Sequence, residues 1–407
     1  MRAVILNSGT YGSTGKIASS LGRYLKSAGH QVLYCYARGG APEGVTGSRF
    51  ESFPEVLIHG GLTRVTGWQG VFSTLATARL IRRLEKFQAQ VYYLENLHGY
   101  YLNERMLFRF LGRTGARVIY LMLDEYPFLG RCGYSFRCDA FQHGCGHCKQ
   151  KNVYPKTWFF DWSDQIYQRK KENYDAVAQL CFVGIEYTVN RARLSPMMDG
   201  RSFYIADEAV DLRNIYYPRD PQALRRQLGI PKEKKIALCV APFSDPRKGC
   251  RYFLEAARML EGDPSTVLVH VGVDRTIPDA PANFLPKGII RDPDLLCQYY
   301  SMADVLVCPS LAETIPAVCI EALSCGTPVI GFQISGLPSC ADSEHGVFVE
   351  PENSAALARA IAQAPKKTED RIRSCRRYAE KRYDNQIFHE KMEALGRDGW
   401  ERNTDEQ

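Results

Sequence analysis

Two carboxylates eight positions apart, Glu313 and Glu321, stand in the stretch Ala303–Pro338, where a short β-branched run leads into a loop and then a short apolar helix. On one continuous helix they would be separated by roughly 12 Å of rise. With Glu313 in the loop before the helix, both can reach one ligand from different sides. Glu321 lies among Val318, Ile320, Ala322 and Leu323, so burial is expected, and a buried carboxylate is costly unless it is paired. Taken alone, it is equally a structural carboxylate bonded to backbone amides. Arg247 and Lys248 close the run APFSDPRKG after an apolar strand. Two cations at the C-terminal end of a strand suit a diphosphate leaving group, and otherwise form a solvated pair. Gly12, Ser13, Thr14 and Gly15 fall where the first strand turns into the first helix. Glycine there lets backbone approach a phosphate at a helix N-terminus, although turn glycines are common and the spacing is not that of a Walker loop. His98, in the run Glu95–Asn103 after an apolar strand, is either a ligand contact or a satisfied loop histidine.

Cys132, Cys138, Cys145 and Cys148 cluster within 17 residues, with His143 and His147 among them. The closing C-x2-C pair is zinc-like, and a structural zinc is the expectation, with unliganded thiols as the alternative. The other spacings are not those of a standard ribbon. Asp292-Pro293-Asp294 has the D-x-D form of metal-nucleotide sites. Asp as a cap with Pro at the first helical position is the ordinary helix start, so no cofactor is expected for catalysis.

The elements that must position these residues alternate. Strands are expected at Ala3–Leu6, Gln31–Tyr36, Val91–Leu94, Arg117–Leu123, Leu180–Val183 and Ser202–Ile205, with helices between them. A second series follows at Lys235–Val240, Thr266–Val271, Gly288–Ile290, Val305–Val307, Val329–Phe332 and Val347–Val349. Strand-helix alternation implies α/β architecture with doubly wound parallel sheets. The expected division is 1–206 with a Cys-rich insert at 130–160, then 207–384, then a C-terminal helical segment 385–407 packing back on the first domain. Within that segment, the polar tail Glu401–Gln407 should fray.

The 407 residues are 45% hydrophobic and 24% charged, ordinary for a globular chain. No apolar run reaches membrane-spanning length. The five-residue run near the start is too short for a signal-peptide core and reads as the first strand of a cytoplasmic protein. Most of the 14 cysteines lie in apolar runs and should be buried free thiols. The net charge of +7 is uneven, because residues 1–120 hold 15 Lys and Arg against 6 Glu. Arg79, Arg82, Arg83 and Lys86 share one amphipathic helix, which is either a solvated face or a contact for anionic lipid at the inner membrane. No nucleic-acid-binding motif is present.

The stretch Glu313, Glu321, Ala322, Gly326, Thr327, Pro328, Gly331 and Gly336 resembles the signature of the retaining glycosyltransferases of family 4 (group 1). The runs His98-Gly99-Tyr100-Tyr101-Leu102-Asn103 and Pro155–Phe160 resemble its colanic-acid and exopolysaccharide branch. That resemblance implies the GT-B fold, two Rossmann-like domains with a ligand cleft between them. The first domain would bind the acceptor and the second a nucleotide-diphosphate sugar. It implies that Glu313 faces the donor sugar, Glu321 holds the ribose, and the loop Glu313-Thr314-Ile315-Pro316 contacts the diphosphate with Arg247 and Lys248. Gly12–Gly15 would sit against the diphosphate and the acceptor. The branch carries His-Asp where this chain has Leu123-Asp124, a departure for which Asp124, Glu125 or His98 are the candidate substitutes.

The expectation is therefore a metal-independent glycosyltransferase of bacterial surface polysaccharide synthesis. Its acceptor would be a glycan, lipid-linked, and its place peripheral on the membrane. The alternative is a non-catalytic GT-B partner or regulator of an active transferase, which Leu123 favours and the intact Glu313, Glu321, Arg247 and Lys248 set opposes.

Overall fold

The computed structural model describes residues 1–207 and 210–400; the tail Glu401–Gln407 lies outside the described residues. Two parallel sheets organise the chain. The first orders its strands 3-2-1-4-5-6-7, with β1 Arg2–Gly9, β2 Gln31–Arg38, β3 Thr46–Arg49, β4 Val91–Leu94, β5 Arg117–Leu121, β6 Leu180–Gly184 and β7 Ser202–Ile205. The second orders its strands 10-9-8-11-12-13, with β8 Lys235–Val240, β9 Thr266–Val271, β10 Phe284–Lys287, β11 Val305–Cys308, β12 Val329–Phe332 and β13 Gly346–Val349. In the first sheet β1 is flanked on both sides, Ala3 pairing with Val32 and with Val91. In the second, β8 sits between β9 and β11. Both strands are apolar because helices cover both faces of a parallel sheet.

The helices of the first series are α1 Gly12–Ser27, α2 Phe53–Thr66, α3 Thr74–Phe87, α4 Glu104–Thr114, α5 Ser163–Asp175 and α6 Glu186–Ala192. Those of the second are α7 Gln222–Gln227, α8 Cys250–Met259, α9 Pro293–Met302, α10 Ala317–Ser324, α11 Ser354–Gln363 and α12 Glu369–Tyr383, and α13 Asn385–Asp398 follows. The chain divides into two compact units, Met1–Glu208 with Phe388–Gln407, and Ala209–Ile387. Within the first unit the Tyr93 hydroxyl donates to the Met392 carbonyl of α13 at 2.8 Å, and Met392 is fully buried.

Three elements depart from the sequence expectation. β3, of sequence TGSR, has no apolar signal and exists as an edge strand on β2. β10 lies at Phe284–Lys287 and not at Gly288–Ile290, because Phe284 is the residue buried against the sheet. α2 was not anticipated, although a capping box between Ser52 and Glu55 marks its start.

The loops after β8 and β11 meet backbone to backbone. Gly249, at φ +63°, opens α8, and a Cβ there would stand 1.9 Å from the Pro309 carbonyl oxygen. Gly249→Ala should therefore lower the unfolding midpoint, at a cost of about 1–3 kcal/mol, read by thermal denaturation.

Candidate active site

The second unit gathers its charged site residues at the C-terminal ends of β8 and β11, the ligand side of an open α/β sheet. Glu313 is buried, with 7% exposure. Its Oε1 accepts from Lys248 Nζ at 2.6 Å and lies 3.1 Å from Arg247 Nη1. Arg247 also donates to the Ala312 carbonyl at 2.9 Å, and the Leu311 amide donates back to the Arg247 carbonyl at 2.8 Å. The two loops are thus laced together around one carboxylate. Burial pushes the Glu313 carboxyl up, but Lys248 and Arg247 outweigh it and hold the group below the usual carboxylate range. Thr314, Ile315 and Pro316 are buried between Glu313 and α10, and the first turn of α10 carries no side-chain cap.

Glu321 lies on α10, buried, and accepts from the Tyr300 hydroxyl at 2.6 Å. Tyr300 on α9 has no signal in the sequence, since it is one more aromatic in an apolar helix. Asp292 caps α9 by accepting from the Asp294 amide at 3.0 Å, while Asp294 accepts from Arg219 at 2.7 Å. The D-x-D is engaged in helix capping and an ion pair.

The first unit has its own cluster. The first turn of α1 presents Gly12, Ser13 and Thr14 with no acidic residue and no side-chain cap, the arrangement that favours an anion. Gly15 is required there, because a Cβ would stand 2.5 Å from the Thr10 carbonyl carbon. After β4 and β5, His98 and Asp124 come together: His98 Nε2 is 2.5 Å from Asp124 Oδ2. The other ring nitrogen, Nδ1, is 3.2 Å from the Tyr154 hydroxyl, a partner the sequence did not reveal. Asp124 is itself fixed by the Tyr126 amide at 2.9 Å. Glu125 points elsewhere: it is buried and bonded to Arg191 at 3.0 Å and to the Ser135 amide at 2.5 Å. It therefore holds the 131–139 loop and is not a substitute for the missing histidine.

The cysteines of the insert do not form a cage. Among the described residues, no three of Cys132, Cys138, Cys145 and Cys148 have sulfurs within 4.8 Å of one another, whereas one tetrahedral ion would need closer spacing. Cys132 and Cys148 instead pair with each other, the hydrogen bond pulling Cys148 down to about 6 and holding Cys132 up. As placed, these residues do not fit a structural zinc. The basic stripe on α3 also changes character. Arg79 is bonded to Glu55 at 2.6 Å and Arg83 to the Arg49 carbonyl at 2.6 Å, while Arg82, Arg83 and Lys86 are all exposed.

Residues 220–382 match the family of glycosyl transferases group 1, and Arg247, Lys248, Glu313 and Glu321 all fall inside the match. A D-inositol 3-phosphate glycosyltransferase of Geodermatophilus obscurus is 33% identical over 203 residues, 44% of this chain and 44% of its own. A putative teichuronic acid biosynthesis glycosyltransferase of Bacillus subtilis is 29% identical over 146 residues, 35% of this chain and 36% of its own. The chain thus spans less than half the length of these curated relatives in the matched region. Anabaena HepE, solved in complex with UDP and glucose, superposes with a TM-score of 0.66 over 98% of this chain and 100% of its own, at 15% identity. That likeness is one of fold, the GT-B class of two Rossmann-like parallel-sheet domains.

The downward shift of Glu313 sets a pH dependence. A carboxyl held below its unfolded value contributes stability that is complete above that value and is lost as pH falls through the folded one. Wild type should therefore exceed Glu313→Gln in thermal midpoint at pH 7. The difference should shrink as pH falls below ~4.5, the range of an unfolded glutamate.

Proposed function

We propose that this chain is a retaining, metal-independent glycosyltransferase. It would move a sugar from a nucleotide-diphosphate sugar to a lipid-linked glycan acceptor in bacterial surface polysaccharide synthesis, at the cytoplasmic face of the inner membrane. The observation that carries this reading is the buried Glu313 carboxylate holding Lys248 and Arg247 at the strand ends of the domain that matches the group 1 family. Two cations held side by side on one carboxylate suit a leaving diphosphate, whose charge develops as the sugar-oxygen bond breaks. Lys248, Arg247 and the amides of Thr314 and Ile315 take that charge. Glu313 positions the sugar and Glu321 the ribose. The acceptor oxygen bonds on the face the diphosphate leaves, and its proton passes to the departing diphosphate oxygen. In the first unit, the open turn Gly12–Gly15 is a second seat for an anion. His98, oriented by Asp124, contacts a reacting sugar. An oriented imidazole speaks for the enzyme over a non-catalytic partner, despite Leu123.

Thermal-shift screening against UDP-, GDP- and ADP-sugars should find one donor that raises the midpoint, by about 2.7 kcal/mol of stabilisation at a hundred times its Kd. Lys248→Ala should lose that shift and lower kcat for transfer or donor hydrolysis by about 10²–10³-fold. Asp124→Asn should lower kcat by about 10²-fold or more while leaving the donor shift intact. Equal hydrolysis by wild type and a Glu313→Gln, Lys248→Ala double variant across the panel would overturn the reading.

A further inference from the structure

Helix α2 is built inside out. Successive helical positions turn by about 100°, which places Phe53, Leu57, Ile58, Leu62 and Val65 on one half of its circumference. These five are 61%, 58%, 62%, 40% and 44% exposed. The opposite half, turned to the protein, carries Val56, His59, Gly60 and Thr63, all buried. A surface helix ordinarily does the reverse, with large apolar residues inward and polar ones outward. Burying His59 and Thr63 while displaying two aliphatic residues side by side makes sense when the outer face has an apolar partner.

The face continues beyond α2. The Trp158 amide donates to the Arg64 carbonyl at 2.8 Å, and Trp162 Nε1 donates to the Thr66 carbonyl at 2.8 Å. These bonds seat Trp158, Phe159 and Phe160 against the end of the helix, where they are 53%, 64% and 52% exposed. Aromatic side chains held at a surface beside an aliphatic stripe suit the boundary between headgroups and acyl chains. The charges agree. From Ala140 to Phe160 there is no acidic residue, and Lys156, beside the Thr157 and Trp158 that bond the Arg64 carbonyl, is exposed. The single carboxylate of α2, Glu55, is bonded to Arg79 at 2.6 Å. Among the described residues no helix is long and apolar enough to cross a membrane, so contact through this face would be interfacial.

We propose that the exposed half of α2, together with Trp158–Phe160, seats the protein on an anionic lipid bilayer. The apolar side chains enter the acyl boundary and Lys156 faces the headgroups. The face also adjoins the candidate site of the first unit, because Tyr154, from the same segment and 48% exposed, reaches His98 at 3.2 Å. A lipid-linked acceptor would be presented beside His98. That purpose rests on the transferase reading, but the docking itself does not.

The test is cosedimentation of the full chain with vesicles of phosphatidylcholine alone and of phosphatidylcholine with phosphatidylglycerol, without donor. Wild type should bind the anionic vesicles more tightly, and the double variant Leu57→Asn, Ile58→Asn should bind about tenfold more weakly or less. The variant's thermal midpoint and its thermal shift with donor should be unchanged, since both side chains face outward. Emission of Trp158 should move to the blue on adding vesicles, and Trp158→Ala should abolish that movement. Undiminished binding by the double variant would overturn the proposal. So would equal binding to both lipids, or self-association through this face with no vesicle binding. Loss of donor hydrolysis with vesicle binding intact would instead count against the transferase reading alone.

Discussion

The candidate site of the second unit depends on one buried carboxylate between two cations. Lys248 and Arg247 are adjacent in sequence and repel one another, and neither has cause to point inward alone. Glu313 offsets that repulsion and draws both side chains to the same oxygen. Each partner keeps the others tolerable: a buried carboxylate without cations would be neutral or displaced, and two cations without it would turn to solvent. The backbone has adapted to the same requirement. Gly249 lets the β8 loop close on Pro309, and the Gly336 amide donates to the Glu313 carbonyl at 2.9 Å. The result is a locus of net positive charge held in place by its own loops.

The first unit solves a related problem with an imidazole. His98 could rotate freely on its loop. Asp124 on one nitrogen and the Tyr154 hydroxyl on the other leave it a single orientation. A carboxylate against one ring nitrogen selects which one carries the proton. The loop bearing Asp124 is in turn supported from below. Buried Lys170 donates to the Tyr126 and Leu129 carbonyls at 2.6 and 2.9 Å, and burial depresses its ammonium to about 8.

Sequence patterning made the sheets legible because parallel strands buried on both faces are continuous apolar runs, as in Ala3–Leu6 and Lys235–Val240. It made Glu313 and Glu321 legible as one local pair and Arg247 and Lys248 as another, and the resemblance joined the two pairs across 65 residues. It could not show that Glu321 bonds Tyr300, 21 residues away, or that His98 bonds Asp124, 26 residues away, since such contacts are products of strand order. β3 was invisible because an edge strand of Thr, Gly, Ser and Arg draws its stability from pairing with β2 and not from burial. The cysteine spacing suggested a cage, and what it could not show is how the loops arrange the thiols: they place Cys132 against Cys148 and hold Cys145 against the Gly130 amide at 3.3 Å.

α2 escaped notice because periodicity is read on the assumption that apolar means inward. Its inner face meets a polar layer. The Ser73 hydroxyl donates to Glu51 Oε1 at 2.6 Å, and His59 Nδ1 lies 2.7 Å from the same hydroxyl. Burial drives His59 down to about 3 and Glu51 up to about 8, so both are held neutral under the helix near pH 7. The Ser73 hydroxyl thus bridges the imidazole and the carboxyl group. This layer holds α2 through the His59–Ser73–Glu51 hydrogen bonds together with buried Val56 and the packing of the His59 ring on Phe72 and Tyr100, and the helix's large apolar residues face outward. An apolar face turned outward gains nothing from the fold itself. Its stabilisation must come from whatever covers it, and the exposed side chains of Trp158, Phe159 and Phe160 extend the same face.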